Sequence, residues 1–479
     1  MTPLWTSEEA AEATGGTATS PFEVSGVTID SREVAAGDLF VALKDVRDGH
    51  DFVADALAKG AAAALVTHRP DSVPDDAPLL VVPDVLAALE ALGRAARARS
   101  GAKVVGITGS VGKTGTKDML RHALAPQGRV HAAERSFNNH WGVPLTLARM
   151  PRQAEFAVIE IGMNAPGEIA PLSRLARPHA AIITTVAAVH AAAFEDVRGI
   201  AREKAAIFDG LAPGGTAIIN RDMGTYAMVR RRALRLGARV VPVGGAGRPA
   251  CLMRRATLKG RRTLVEARSH RIPHFFKLAA PGRHLALNAM AVLAAVEAVG
   301  ADVDKAAMAL GQWAPPAGRG ARWMVGLGDG QLDGLVELID DAYNANPTSM
   351  EAAFDVLAAA EPRHDVLVTE RAGEALRRHL QHKITRFVTM DIVDAFEVVE
   401  VDKQHGTRRI IVHLGQRDTR APLETASVKY AGQRVQERGR FKLTLLFALT
   451  RDIDTGHPDV VVDGVGEHPV PALALVGAH

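Results

Sequence analysis

Apolar and polar positions along the chain alternate between short buried runs and amphipathic stretches, and the pattern restarts twice. Residues 6–14 read as a short helix, with Thr6 and Glu9 spaced as a capping box and Gly15-Gly16 as its stop. Strand-like runs follow at 24–32 and 38–43. A helical stretch at 52–65 (FVADALAKGAAAAL) then leads into 66–69, and a buried strand at 79–84 precedes a helix over 84–100. This block predicts one small α/β domain, residues 1–98. At 103 a buried strand runs into a glycine loop, with a helix from about 113. Further strands recur at 156–162, 180–186, 215–220 and 238–245, with helices between several of them. Apolar strands alternating with helices predict a mainly parallel, doubly wound sheet. This second domain spans 99–312, and 284–301 is its clearest helix. The stretch Pro315-Pro316-Ala317-Gly318-Arg319-Gly320 reads as a hinge. A third domain, 313–479, follows, with 335–343 as its first good strand.

Composition adds little to this picture but excludes much. A chain of 479 residues calls for two or three domains. Hydrophobic residues at 47% and charged residues at 23% are an ordinary globular balance. Aromatics are sparse, at 4%, which suits cores of small aliphatic layers or equally a GC-rich genome. Lys plus Arg is 57 and Asp plus Glu is 54, a net charge of +3, so the overall balance argues for neither a nucleic-acid nor a membrane partner. Cys251 is the single cysteine, which rules out an intrachain disulfide and a thiol-rich metal site. The first residues have no basic segment followed by an apolar run, and no stretch offers the ~18 apolar residues of a membrane span. A cytoplasmic protein is expected.

The strongest chemical signal is Thr108-Gly109-Ser110-Val111-Gly112-Lys113-Thr114, between a buried strand and a helix start. In that context glycines let backbone N–H groups close around phosphates, and the helix N-terminus favours the anion. Lys113 would hold the β/γ-phosphates and the Thr114 hydroxyl would ligate Mg²⁺. The first glycine lies three residues before Gly112 rather than five, a shortened form of the common loop. An ordinary glycine-rich turn is the competing reading.

Three more residues could reach such a loop. Glu160 ends a buried strand, His190 follows another, and Lys204 lies in a helical stretch. In a doubly wound sheet the ends of neighbouring strands face one crevice. Taken singly, each also fits a plain role: a strand-end charge in solvent, a loop histidine, a solvated helix lysine.

The shortened loop, read on as Gly-Ser-Val-Gly-Lys-Thr-Gly-Thr-Lys, resembles that of the Mur ligases, ATP-dependent enzymes of peptidoglycan precursor synthesis, and of the related folylpolyglutamate synthetases. The block Asn138-Asn139-His140-Trp141-Gly142-Val143-Pro144, the run EIGMNAPGEI, the later His190 and EKAAIF recur in that family in the same order. Asp340-Asp341-Ala342-Tyr343-Asn344-Ala345-Asn346-Pro347, with Asp30-Ser31-Arg32 and Asp48-Gly49-His50-Asp51-Phe52, resembles its D-alanyl-D-alanine-adding branch. The resemblance covers about residues 1–360.

It implies a three-domain Mur-ligase architecture around a central phosphate-loop sheet. The implied substrates are ATP, UDP-N-acetylmuramoyl-tripeptide and D-alanyl-D-alanine. Gly109, Ser110, Val111, Gly112, Lys113, Thr114, Asn288, Arg319 and Asp341 would bind the nucleotide, with Arg319 reaching its phosphates when domains close. Asn220 and His284 match further family positions. Ser31, Arg32, Asn138, Asn139, Asn344 and Asn346 would face the other substrates. Two Mg²⁺ ions would be held by Thr114, Glu160, His190 and Lys204, with Lys204 carbamylated so that a cation becomes an oxygen ligand. Lys113, Lys204 and His190 would be the catalytic set. A monomer is expected.

After about residue 360 the resemblance stops. The runs FEVVEVD and RRIIVHLG are acceptable strands, but helix–strand alternation is lost over 361–479. Either the tail is foreign to a truncated ligase, or it is a divergent domain that still closes over ATP. Poor packing or disorder is expected over 370–479. Two functional readings follow: an active peptide ligase, or a non-catalytic nucleotide and UDP-precursor binder. The Asp48–Phe52 and Tyr343–Pro347 blocks count against a folate ligase.

Overall fold

The computed structural model describes residues 2–133, 135–189, 193–247, 249–269, 272–326, 335–341, 347–358, 366–368, 398–402, 409–413 and 442–447. Internal contacts divide the chain into two compact units, Met1–Trp313 and Ala314–His479.

The first unit opens with helix α1 (Ser7–Thr14). Thr6 Oγ accepts from the Glu9 amide, and Gly15, at φ 69°, closes the helix in the left-handed conformation that glycine tolerates. A five-stranded sheet follows, from β1 (Thr17–Ala18), β2 (Gly26–Thr28), β3 (Asp38–Val41), β4 (Ala63–Val66) and β5 (Leu79–Val81), in the order β1-β5-β4-β3-β2. Helix α2 is only Val53–Ala58, shorter than the expected 52–65. Gly60, at φ 104°, breaks it, and the alanine-rich run after it becomes the wholly buried β4. A short apolar run suits a buried strand as well as a helix, so periodicity alone could not separate them. Helix α3 (Val85–Arg99) forms where a helix over 84–100 is expected, and Asp84 caps it, its Oδ1 accepting from the Ala87 amide.

A nine-stranded sheet carries the rest of the unit. Its strands are β6 (Lys103–Thr108), β7 (Val130–Ala132), β8 (Phe156–Glu160), β9 (Ala180–Ile183), β10 (Thr216–Asn220), β11 (Arg239–Gly244), β12 (Cys251–Lys259), β13 (Arg262–Ser269) and β14 (Ile272–Leu278). The order is β14-β13-β12-β11-β10-β9-β6-β8-β7. Pairing is parallel from β7 through to β12 and antiparallel for β12–β13 and β13–β14. Helices α4 (Lys113–Leu124), α5 (Gly142–Ala148), α6 (Ile169–Ala176), α7 (Val197–Ala205), α8 (Tyr226–Arg235), α9 (Arg283–Ala298) and α10 (Val303–Leu310) complete it. The two faces bury separate cores: α4, α9 and α10 on one side, α6 and α7 on the other. The expected doubly wound α/β core is therefore present, extended by an antiparallel β12–β14 ribbon.

Helix α5 ties the first hundred residues to the rest of the unit. Leu145 and Ala148 of α5 pack with Leu4, Trp5, Leu89 and Leu92 of the first hundred residues. At Gly93 of α3 a Cβ would come within 3.0 Å of the Pro144 carbonyl, so the helices approach as closely as glycine allows. The Trp5 indole N–H donates to Ala148 O at 3.0 Å.

In the second unit, Ala321–Gly326 pairs antiparallel with Leu335–Asp340, ahead of the expected first strand. Leu335–Asp340 is also parallel to Lys442–Phe447, which pairs in parallel with Val366–Val368. A helix spans Pro347–Ala358. The expected strands of the tail are found as Val398–Asp402 and Arg409–His413, an antiparallel pair. The expectation for the remainder of 370–479 lies outside the described residues.

Candidate active site

The glycine loop joins β6 to α4 at the carboxyl edge of the parallel strands, beside the order reversal at β6 where ligands bind in such sheets. Gly112 has φ 86°, and a Cβ there would meet Asn288 Nδ2 at 2.8 Å. The positive φ favours glycine, and the Asn288 side chain of α9 lies against the loop.

The loop is strapped to the segment after β9. Ser110 N–H donates to Thr185 O at 2.9 Å, and Thr184 Oγ1 donates to Val111 O at 2.6 Å. Ser110 Oγ donates to Ala187 O at 3.1 Å and accepts from Ala187 N at 2.9 Å. Asn220, at the end of β10, steadies that segment by donating to Thr184 O at 2.9 Å. Lys113 Nζ folds back to Gly109 O at 2.7 Å, across its own loop.

Below the loop the structure brings the Thr114 and Glu160 side chains together, Thr114 Oγ1 donating to Glu160 Oε1 at 3.1 Å. Asn138 Nδ2 donates to the same oxygen at 2.7 Å. Glu160 is 2% exposed, and its Oε2 is buried without a hydrogen-bond partner. An orphaned buried carboxylate oxygen is costly unless something takes it up. Oε2 beside a threonine hydroxyl is the hard-oxygen donor set that Mg²⁺ accepts when phosphates supply the rest. Among the described residues no three His, Cys, Asp or Glu cluster as a complete metal cage.

Lys117 of α4 was not singled out from sequence. It is 3% exposed, donates to Ala133 O at 2.7 Å and Arg135 O at 2.9 Å, and lies 3.9 Å from Glu160 Oε2. It thus holds Ala133 and Arg135, and the hydroxyl of the neighbouring Ser136 is 3.1 Å from Thr114 Oγ1. The readable signal was its spacing, i+4 from Lys113 and i+3 from Thr114, which puts all three on one helix face.

Lys204 is 1% exposed, not a solvated helix lysine. Desolvation pushes its ammonium well below the ordinary lysine range, and the charge of Lys113 adds to the shift. No hydrogen bond or ion pair engages it among the described residues. His284 is half-buried at the start of α9, and desolvation pushes its imidazole down to about 4.

Other expected site residues fall elsewhere. Arg32 is exposed and paired with Asp30 at 2.7 Å, and that hydrogen bond holds the Asp30 carboxyl down at about 2. Ser31 offers its carbonyl to Lys59 Nζ at 3.0 Å. Asn139 Oδ1 accepts from Gly142 N at 2.9 Å, at the start of α5. In the second unit, Asp340 receives the Gly318 amide at 2.6 Å, and burial pushes the Asp341 carboxyl up to about 7 against the opposing pull of Arg319. His190, Asn344 and Asn346 lie outside the described residues.

Comparison with known proteins agrees with this geometry. The Mur ligase middle domain matches residues 107–296, and the Mur ligase family catalytic domain matches 23–100. The UDP-N-acetylmuramoyl-tripeptide--D-alanyl-D-alanine ligase of Bacillus subtilis (strain 168) is 35% identical over 361 residues, 74% of this chain and 76% of the relative. That of Escherichia coli (strain K12) is 36% identical over 367 residues, 75% and 78% of the two chains. A crystal structure of MurF from Acinetobacter baumannii superposes with a TM-score of 0.67 at 30% identity, covering 76% of this chain and 78% of that one. MurF ligase from Thermotoga maritima in complex with ADP gives 0.60 at 24% identity, covering 74% and 81%, and so shares the fold. Loop, carboxylate and buried lysine stand in the order the resemblance required, and the chain belongs to the Mur ligase family.

Proposed function

We propose that this chain is an ATP-dependent ligase that adds D-alanyl-D-alanine to UDP-N-acetylmuramoyl-tripeptide in cell-wall precursor synthesis. The observation that carries the reading is the pairing of Thr114 with Glu160 beneath the glycine loop, with Glu160 Oε2 left for a ligand. The tripeptide carboxylate attacks the γ-phosphorus of ATP, the bond to the β–γ bridging oxygen breaks, and ADP leaves an acyl phosphate. The dipeptide amine then attacks the acyl carbon, phosphate departs, and the ammonium proton is lost as the amide forms.

The protein's own work is positioning and charge neutralisation. Loop amides and Lys113 hold the phosphates. Thr114 and Glu160 would hold one Mg²⁺, whose contribution is to neutralise phosphate charge. Lys204 supports a second ion: a desolvated amine remains neutral enough to add CO₂, and the carbamate would present oxygen toward the crevice with His190. Asn288 is assigned to the nucleotide on the loop side. Ser31, Arg32, Asn138, Asn139, Asn344 and Asn346 are assigned to the UDP-precursor and dipeptide, and Arg319 and Asp341 of the second unit to ATP. The division 1–98, 99–312 and 313–479, a monomeric state and a cytoplasmic location belong to the same proposal. No helix among the described residues is long and apolar enough to cross a membrane.

The test is product mass and phosphate release with ATP, Mg²⁺, UDP-N-acetylmuramoyl-tripeptide and D-alanyl-D-alanine. Pentapeptide product that vanishes with Lys113→Ala is the expected result. ATP and precursor bound without product would leave only a nucleotide and precursor binder. A ¹³C carbamate resonance in the presence of labelled bicarbonate, absent in Lys204→Arg, tests the modification.

A further inference from the structure

The overall charge of +3 conceals a strong segregation. Residues 251–278, which form β12–β14, contain eight Lys or Arg and one acidic residue, Glu266, so the rest of the chain is net −4. The strand register sorts these charges. Arg255 pairs with Glu266, Thr257 with Leu264 and Lys259 with Arg262, while Glu266 pairs with Phe275 and Leu264 with Lys277. Alternation therefore puts Arg255, Lys259, Arg262, Arg268 and Lys277 on one face, with Glu266 as the one acidic side chain among them. The opposite face buries Met253, Val265, Ala267, Phe276 and Leu278 in the core with α9.

Two apolar side chains stand among the cations. Phe275 is 76% exposed and Leu264 42%, while Ile272, at the ribbon's end, is 62% exposed. None of the five cations forms an ion pair among the described residues. Protection of a sheet edge accounts for Pro273 and Lys277 on β14. It does not account for Arg255 and Lys259 two strands inward, nor for an outward phenylalanine. Single-stranded nucleic acid would want several stacking platforms, and among the described residues this face has one aromatic ring, Phe275. A flat basic face with protruding apolar side chains matches anionic headgroups above an acyl layer.

We infer that the outer face of β12–β14 is a docking surface for an anionic lipid membrane, held by its cations and seated by Phe275 and Leu264. The face is roughly 10 Å across and 25 Å long, enough to cover several headgroups. It is formed by residues that the catalytic reading does not use.

The experiment is co-sedimentation of the full chain with vesicles of phosphatidylcholine alone and of phosphatidylcholine mixed with phosphatidylglycerol. Binding to the mixed vesicles only, weakened by salt, is expected. Arg255→Gln with Arg262→Gln should lower the partition constant about 25-fold, at about fivefold per cation removed. Phe275→Ser should lower it severalfold at unchanged salt sensitivity, with thermal melting of each variant as the check on folding. Lys113→Ala should bind as the unaltered chain does, so the result is independent of whether the ligase reading stands. Equal binding to both vesicle types, binding to neither, or an unaffected double variant overturns the inference. Tighter binding to a single-stranded oligonucleotide or to polyaspartate than to the mixed vesicles also overturns it, and reassigns the face to nucleic acid or to an acidic protein.

Discussion

The two edges of the nine-stranded sheet each bury a cation, and they treat it differently. On the amino-terminal side, Arg97 of α3 is 8% exposed and fully engaged: its guanidinium donates to Ala176 O at 2.9 Å, Arg177 O at 3.1 Å and Ser100 O at 3.4 Å. Beside it, His179 Nδ1 accepts from the Val104 amide at 2.9 Å. On the carboxyl side, Lys204 is more deeply buried with no hydrogen bond or ion pair among the described residues, and Glu160 Oε2 has no hydrogen bond, only the Lys117 ammonium at 3.9 Å. Satisfied burial ties helices together. Unsatisfied burial raises the energy of the empty site, which a ligand bringing the missing partners recovers.

Variants can break this contrast. The largest expected effect is on chemistry: Lys113→Ala should lower ATP-dependent phosphate release about a thousandfold, measured under saturating substrates, with little change in melting temperature. A parallel loss of stability would make Lys113 a structural residue and erase the distinction. Arg97→Met should cost about 3 kcal/mol in urea unfolding, because three buried carbonyls lose their donor. Nucleotide affinity should hardly move.

Lys204→Met sharpens the comparison by sign. It should remove activity yet raise stability by about 1 kcal/mol, since an unpaired buried amine gives way to an apolar chain of similar length. A fall in stability would mean that the lysine has a structural partner.

Acid should act through His284. Its folded pKa of about 4 lies below the ordinary 6.5, so the unfolded chain takes up the proton first. The associated stability is complete above pH 6.5 and is lost as pH falls from there through 4, by about 3 kcal/mol in all. His284→Phe should flatten that part of the stability–pH curve. The smallest effect, about 1 kcal/mol, is expected for Thr6→Ala at the cap of α1.

Sequence legibility followed local physics. The Thr6 cap, the β6 strand, the glycine loop and the helix after residue 84 depend on neighbours within a few residues, and each was readable. Glu160 was readable as a strand end, but its meeting with Thr114 and Asn138 needed the register of β6 and β8. Lys117 was missed because a lysine in a helix usually faces solvent, and only the fold around 133–136 buries it. The β12–β14 ribbon was missed because arginines on its outer face dilute the apolar alternation, and the bulge between Met253 and Arg255 shifts its phase. The alanine run at 61–65 was read as helix because alanine carries no β-branch to signal a strand.

Cys251 gives the ribbon a built-in reporter. The chain's single thiol is 2% exposed at the start of β12, on the side facing the core, and burial pushes its pKa up. A thiol reagent should therefore be nearly silent toward the native chain and should label one site when the ribbon peels from α9. Labelling rates across urea concentrations would clock that local opening without any engineered probe.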